Sequence, residues 1–232
     1  MKINNILWTP LDLPLPPKEL TLETLKDRYT FVPNISEEQR TELEKEKKHH
    51  LYVWNSFRIH VPNNDIKNPY ETQISDLDWN WTDEAKKFCP QLIDYVKEHL
   101  PFKKFKYITA ISSNGTVPMH LDLTDNISQN EKNYYRDNDP CFYRLLLDGE
   151  IHRDTFYVYT RTLGKVYCTL PSSSPGWAMG SYNCAHGNDE DIANQKLLLY
   201  VMGDLDLARH RDLVERSVKI YKEYAVVKDY GA

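Results

Sequence analysis

KFKYITAISSNGTVPMHLDLT, residues 104–124, sets the reading of the whole chain. Two runs rich in β-branched and aromatic residues flank Asn/Gly turn chemistry, so the stretch predicts a strand, a turn and a second strand. Strand neighbours at i and i+2 share a face. His120 and Asp122 therefore project together, toward whatever residues 116–123 pack against. A buried carboxylate without a metal or cation is costly. The second strand thus demands a partner for its two polar side chains, either a metal ion or a buried hydrogen-bonded arrangement.

Four further runs repeat the pattern downstream: CFYRLLLDG (141–149), DTFYVYTR (154–161), KVYCTLP (165–171) and QKLLLYVMG (195–203). Short strands separated by Pro/Asp and Ser/Pro turns predict an all-β sandwich or barrel over residues 104–203. After Gly203 the period returns to that of a helix, with Leu207, Val214, Val218 and Tyr221 near one stripe. Upstream, PLDLPLPP (10–17) reads as an extended strap. Helices are expected over 21–28 and 36–50, and LYVWNSFRIHV (51–61) alternates like a strand. His49 and His50 are adjacent and cannot share a helix face, which argues against a metal role for that pair. A helix from Thr82 to Leu100 carries Phe88, Leu92, Ile93 and Val96 as its apolar stripe; Pro90 kinks or splits it and Pro101 stops it. The expected class is α+β and β-rich. One domain spans 1–232: a helical and extended support (1–103), the β core (104–203) and a C-terminal helix (204–232).

Composition narrows the function classes. At 232 residues with 41% hydrophobic and 12% aromatic content, the chain can bury a sizeable core and is not disordered. Its net charge of −5 lacks the basic surplus of a nucleic-acid binder. Cys89, Cys141, Cys168 and Cys184 form no CxxC pair, which predicts reduced, buried thiols in a cytoplasmic protein. No signal-peptide pattern and no apolar stretch of membrane-spanning length is visible, so the expectation is a soluble protein without a membrane partner. The sequons at Asn34, Asn80, Asn114 and Asn126 then carry no modification.

Three more residues complete a chemical pattern. His186 lies in SYNCAHGNDED, 64 residues after Asp122; Lys196 follows ten residues later; Arg144 sits in CFYRLLLDG. Two imidazoles and one carboxylate on one face of a metal are the facial triad of non-haem Fe(II) sites, with the remaining positions open. The 64-residue gap accommodates the intervening strands of a double-stranded β-helix. A Lys or Arg on an inward strand position would pair with a ligand carboxylate, more strongly there than at the surface.

VPMHLDL, the RLLLDG strand, Trp177-x-x-Gly180, His186 and the Lys196 strand together resemble the Fe(II)/2-oxoglutarate-dependent oxygenases, over roughly residues 107–203. The branch it is similar to is the aspartyl/asparaginyl β-hydroxylase-like one, which also contains bacterial free-amino-acid and prolyl hydroxylases. The resemblance implies a jelly-roll, cupin-like double-stranded β-helix in which His120, Asp122 and His186 bind Fe(II). It implies that Lys196, with or without Arg144, holds the C5 carboxylate of 2-oxoglutarate. It further implies O2-dependent hydroxylation of an unactivated C–H bond in a small-molecule or peptide substrate, an amino acid by branch, with release of succinate and CO2. Two features depart from the pattern. Founding members of the branch lack the carboxylate that stands here as Asp122, and the distal basic residue is usually Arg where this chain has Lys196. Lysine pairs as a point charge and cannot form a bidentate fork.

Competing readings are concrete. A second pair, His152-Arg-Asp154, leaves only 32 residues before His186, too few for the strands required. His186 would otherwise be a loop histidine, Lys196 a solvent-facing strand residue, and Arg144 a partner of Asp148 or Glu150. Trp177 is expected in core packing or as a turn anchor, and His60, His99 and His210 at the surface or helix ends. Other functions compatible with the residues are a cupin-like barrel binding a metal and a small molecule without oxidation, and a non-catalytic interaction module. The N-terminal part offers a lid or the interface of a homodimer.

Overall fold

A computed structural model describes residues 3–28, 30–31, 54–62, 78–113, 117–121, 134, 137–151, 155–180, 184–189 and 196–228. Two antiparallel sheets dominate it. The larger is built from β1 (Ile6–Pro10), β2 (Thr30–Phe31), β3 (Trp54–Pro62), β4 (Trp79–Trp81), β5 (Phe102–Ser113), β7 (Phe142–Asp148), β10 (Gly176–Met179), β12 (Lys196–Leu205) and β13 (Val226–Val227). Its order is β13-β1-β10-β7-β12-β5-β3-β2, with β4 pairing on β3. The smaller sheet orders β6 (Val117–His120), β11 (His186–Asn188), β8 (Phe156–Thr160) and β9 (Gly164–Tyr167) as β6-β11-β8-β9. From β5 onward the chain crosses repeatedly between the sheets: β5 large, β6 small, β7 large, β8 and β9 small, β10 large, β11 small, β12 large. The result is a β-rich, jelly-roll-like architecture with few helices.

The helices follow their local signals. In α2 (Asp83–Phe88) the Thr82 hydroxyl caps the Ala85 amide at 3.1 Å, with Asp83 and Glu84 in the first turn and Lys86 and Lys87 in the last. Pro90, which has no N–H to offer the preceding ladder, opens α3 (Pro90–His99) instead of continuing α2. Of the two expected outcomes, kink or split, the structure has the split, at Cys89. The short α1 (Leu22–Leu25) occupies part of the expected 21–28 helix, and Asp206 caps α4 (Leu207–Ile220).

Central strands of the large sheet are buried on both faces. Leu197, Leu199 and Val201 of β12 and Tyr143 and Leu145 of β7 join one core with Leu92 and Val96 of α3 and Leu213 of α4. Residues 11–17 of the expected 10–17 strap lie outside helix and strand, while Pro10 ends β1, and the stretch from Leu11 to Glu19 is tied to the body. Its anchors are Leu11 N–H on the Ser174 hydroxyl (2.9 Å), Asp12 N–H on the Ser217 hydroxyl (2.9 Å) and Leu92 N–H on the Glu19 carboxylate (2.7 Å). The sequence predicts helical and extended supports before residue 104; the structure also places four strands, β1–β4, in the large sheet. No helix among the described residues is long and apolar enough to cross a membrane. The helix expected over 36–50, with His49 and His50, lies outside the described residues, as do Asp122 and His152-Arg-Asp154.

Candidate functional site

His120 ends β6 and His186 begins β11, and the two are directly opposite in the antiparallel ladder. Opposed residues of such a pair carry their side chains on one face, close together. The ring centroids are 4.4 Å apart and tilted by 49°. Two histidines separated by 66 residues of chain thus meet in one register position. His186 Nδ1 bonds to the Cys184 carbonyl oxygen at 3.1 Å. A carbonyl only accepts, so Nδ1 carries the proton and the lone pair of the neutral ring sits on Nε2. That is the orienting bond that metal-binding histidines commonly use.

Both rings line a cavity between the sheets. The small sheet contributes Val117, Phe156, Gly187 and Asn188 around them; the large sheet contributes Arg144, Trp177, Met179, Lys196, Leu198 and Tyr200. Period-2 alternation explains the second set, because Lys196, Leu198 and Tyr200 stand at i, i+2 and i+4 of β12. Gly187 is required by the close approach of three strands. A Cβ there would overlap the Tyr157 hydroxyl and lie 2.7 Å from the Val117 carbonyl oxygen.

The cations are inside. Lys196 is 4% exposed and Arg144 6% exposed, so the solvent-facing reading of Lys196 does not hold. The Arg144 guanidinium lies 3.7 Å over the Tyr200 ring and donates to the Tyr143 carbonyl at 3.3 Å. Asp148, offered by the sequence as its partner, instead accepts from the Leu22 amide (2.9 Å) and the Gly149 amide (2.9 Å). Thus His120, His186, Lys196 and Arg144 are brought into one cavity. Among the described residues no group of three His, Cys, Asp or Glu side chains forms a metal cage. The donor set that can be described is the histidine pair.

Cysteine chemistry is silent here. All four thiols are buried and unpaired with one another, as expected. Burial pushes the Cys184 thiol up to about 11, so it stays protonated at neutral pH.

Two histidines expected at the surface are buried elsewhere. His60 on β3 bonds through Nδ1 to the Lys106 carbonyl beside Trp81, and burial lowers its pKa. His210 on α4 is fully buried between the Tyr143 hydroxyl (2.7 Å) and the Asn138 carbonyl (2.8 Å). The expectation placed it at the surface or a helix end. The helical period puts it with Leu213, Val214 and Ser217 instead. Trp177 packs on Trp8 and Phe156, as core packing requires, and it also lines the cavity. Tyr200 was legible from the alternation that begins at Lys196.

The fold and site define a class: a two-sheet β protein with an internal, histidine- and cation-lined cavity. The chain matches no family model and no curated protein by sequence. Among solved structures it is similar to the crystal structure of an oxidoreductase of the 2OG-Fe(II) oxygenase family from Burkholderia pseudomallei, at 12% identity. The similarity covers 80% of each chain with a TM-score of 0.42. So distant a likeness carries no weight for function, which rests on the residues of the cavity.

Proposed function

We propose that the protein is an Fe(II)- and 2-oxoglutarate-dependent oxygenase that hydroxylates a C–H bond of an amino acid or peptidyl residue. The carrying observation is the direct register of His120 with His186 on a cavity that also holds the buried Lys196. Two neutral imidazoles on one wall suit a first-row metal, and a carboxylate from Asp122, two residues beyond His120, would complete a facial set suited to iron. The crossing of the chain between sheets from β5 to β12 supports a double-stranded β-helix. We read the chain as a single oxygenase domain, 1–232, whose β core is residues 104–203, and assign it to the aspartyl/asparaginyl hydroxylase-like branch. Four buried thiols, none of them in a disulfide, support a cytoplasmic placement.

In this reading the bound iron, with 2-oxoglutarate and O2, supplies the oxidising chemistry, and succinate and CO2 are released. The chain supplies the rest. The Cys184 carbonyl holds His186 in the tautomer that presents Nε2. Lys196 offers a desolvated positive charge to the far carboxylate of 2-oxoglutarate. Phe156, Ile151, Met179 and Leu198 give the cavity apolar walls that limit water around it.

Anaerobic addition of Fe(II) and 2-oxoglutarate tests the reading. The expected result is a weak visible charge-transfer band that is absent in His120→Ala. No band, together with no 2-oxoglutarate-dependent thermal stabilisation, would sink it. A protein that binds the metal yet ignores 2-oxoglutarate would indicate the cupin-like reading.

A further inference from the structure

β11 is only three residues long, and its grip on β6 is irregular. From His186 to Asn188 it advances two residues, while its partner runs the three from His120 to Val117, a bulge in the ladder. Bulges bend a strand and change the aim of its side chains. The regular pairing of β11 is on its other side, where His186, Gly187 and Asn188 meet Val158, Tyr157 and Phe156 of β8. Alternation sends His186 and Asn188 to the cavity face and Gly187 and Asp189 to the outer face. Gly187 has no side chain with which to hold that outer face. Asp189, one residue past the strand, holds it instead. Its amide donates to the Thr155 carbonyl at 2.8 Å. Its carboxylate reaches across β8 to β9, the end strand of the small sheet. There Oδ2 accepts from Lys165 Nζ at 2.6 Å and from the Tyr167 hydroxyl at 2.8 Å. The Lys165 ammonium lies 4.0 Å over the Tyr157 ring, and Tyr157 is buried beneath it with its hydroxyl against Gly187. Contact is therefore continuous from β9, over Tyr157, to the residue that follows His186.

We propose that Asp189, Lys165 and Tyr167 form a clamp that positions His186 opposite His120. They stand on the face of the small sheet away from the cavity and act on the site through β11 alone. Both ends of the ion pair are partly exposed, 32% of the Asp189 side chain and 40% of the Lys165 side chain, so its direct worth to stability is small. Its worth is geometric. A carboxylate held by two donors from one strand fixes where β11 ends. A slip or tilt of that end would change the 4.4 Å spacing of the two imidazoles, and a binding constellation tolerates only about 0.5 Å of error. This rests on the reading of the histidine pair as metal ligands.

Removing the clamp from either side separates position from charge. Mn(II) is titrated by calorimetry into the full chain, freed of other metals. Asp189→Asn should weaken Mn(II) about tenfold, as loss of a group that orients a metal ligand does. The field of the lost carboxylate acts in the same direction. Lys165→Met discriminates. The field of a lost cation would strengthen Mn(II) binding, whereas loss of the clamp weakens it, again about tenfold. The double variant should be no worse than either single one, because both break one unit. Tyr167→Phe, which removes one of the two donors, should cost about threefold. In the metal-free protein, hydrogen exchange over residues 184–189 should quicken in Asp189→Asn and Lys165→Met, while exchange over β12 is unchanged. Urea midpoints should move little. Tighter Mn(II) binding in Lys165→Met, or unchanged binding in both variants, would overturn the proposal. So would exchange over 184–189 that stays as in the wild type in both. If the wild type binds no Mn(II), the metal reading falls, and exchange alone decides whether the clamp holds β11.

Discussion

His186 and His210 are both buried, and each is bonded to a backbone carbonyl, yet their surroundings differ. His210 spends Nε2–H on the Asn138 carbonyl and accepts at Nδ1 from the Tyr143 hydroxyl. Both nitrogens are consumed by the protein, and the ring ties α4 to the back of β7. His186 gives one nitrogen to the Cys184 carbonyl and sets its ring on a cavity wall opposite a second imidazole. Burial alone does not mark a ligand-binding histidine. In the function proposed above, what sets His186 apart is its place on the cavity wall opposite His120.

The contrast breaks first at the metal. His186→Ala is expected to weaken Fe(II) or Mn(II) binding by roughly 100-fold while the melting temperature of the metal-free protein changes little. His210→Ala should do the reverse. It removes two buried hydrogen bonds and leaves a cavity, so chemical denaturation should read a loss of roughly 3 kcal/mol with metal affinity retained. Comparable metal loss in both variants would erase the distinction.

A pH series sharpens it. Burial holds the His210 pKa at about 4, below the ordinary 6.5. The unfolded chain therefore binds a proton between those values that the folded chain refuses, and stability rises with pH across the window. The contribution is complete above about 6.5 and is lost as pH falls toward 4, in total roughly 3 kcal/mol. His60, also lowered by burial, acts in the same direction. Urea midpoints from pH 7 to 4 should show the decline, flattened in His210→Gln; an unchanged slope in that variant would remove the assignment.

The smallest expected effect is at Gly187. Alanine would force its Cβ against the Tyr157 hydroxyl and the Val117 carbonyl, an overpacking cost of roughly 1–3 kcal/mol. Because Gly187 follows His186, metal affinity should fall as well. Adding Tyr157→Phe should recover part of both losses. No change in either quantity would show that the strands yield freely there.

Much of this arrangement could be read from the residues. The six β runs, the strap, the Pro90 and Pro101 breaks and the C-terminal helix follow from local period and turn chemistry. The burial of Lys196 beside the histidines settles an alternative that the residues had left open. The short strands β10 and β11 escape, because Gly-Trp-Ala-Met and His-Gly-Asn are too brief to show alternation. β1 ends on a proline, and its partners, β10 and β13, lie far along the chain. Trp177, Arg144 and Tyr200 lie side by side only through the register of three strands distant in sequence. His210 was missed, although its spacing to Val214 and Ser217 carried the signal.

β1 has a consequence for how the molecule is made. Ile6, Leu7 and Trp8 are made well before the residues they meet: their strand pairs with residues 177–179 and 226–227, and Ile6 packs on Val214 and Val218. At about 5–20 residues per second, the first of those partners is on the order of ten seconds or more behind. Until then three large apolar side chains wait without a sheet. A strand made long before its partners waits unpaired, and that interval is where a chaperone has most to do and where crowding on the ribosome has most to spoil.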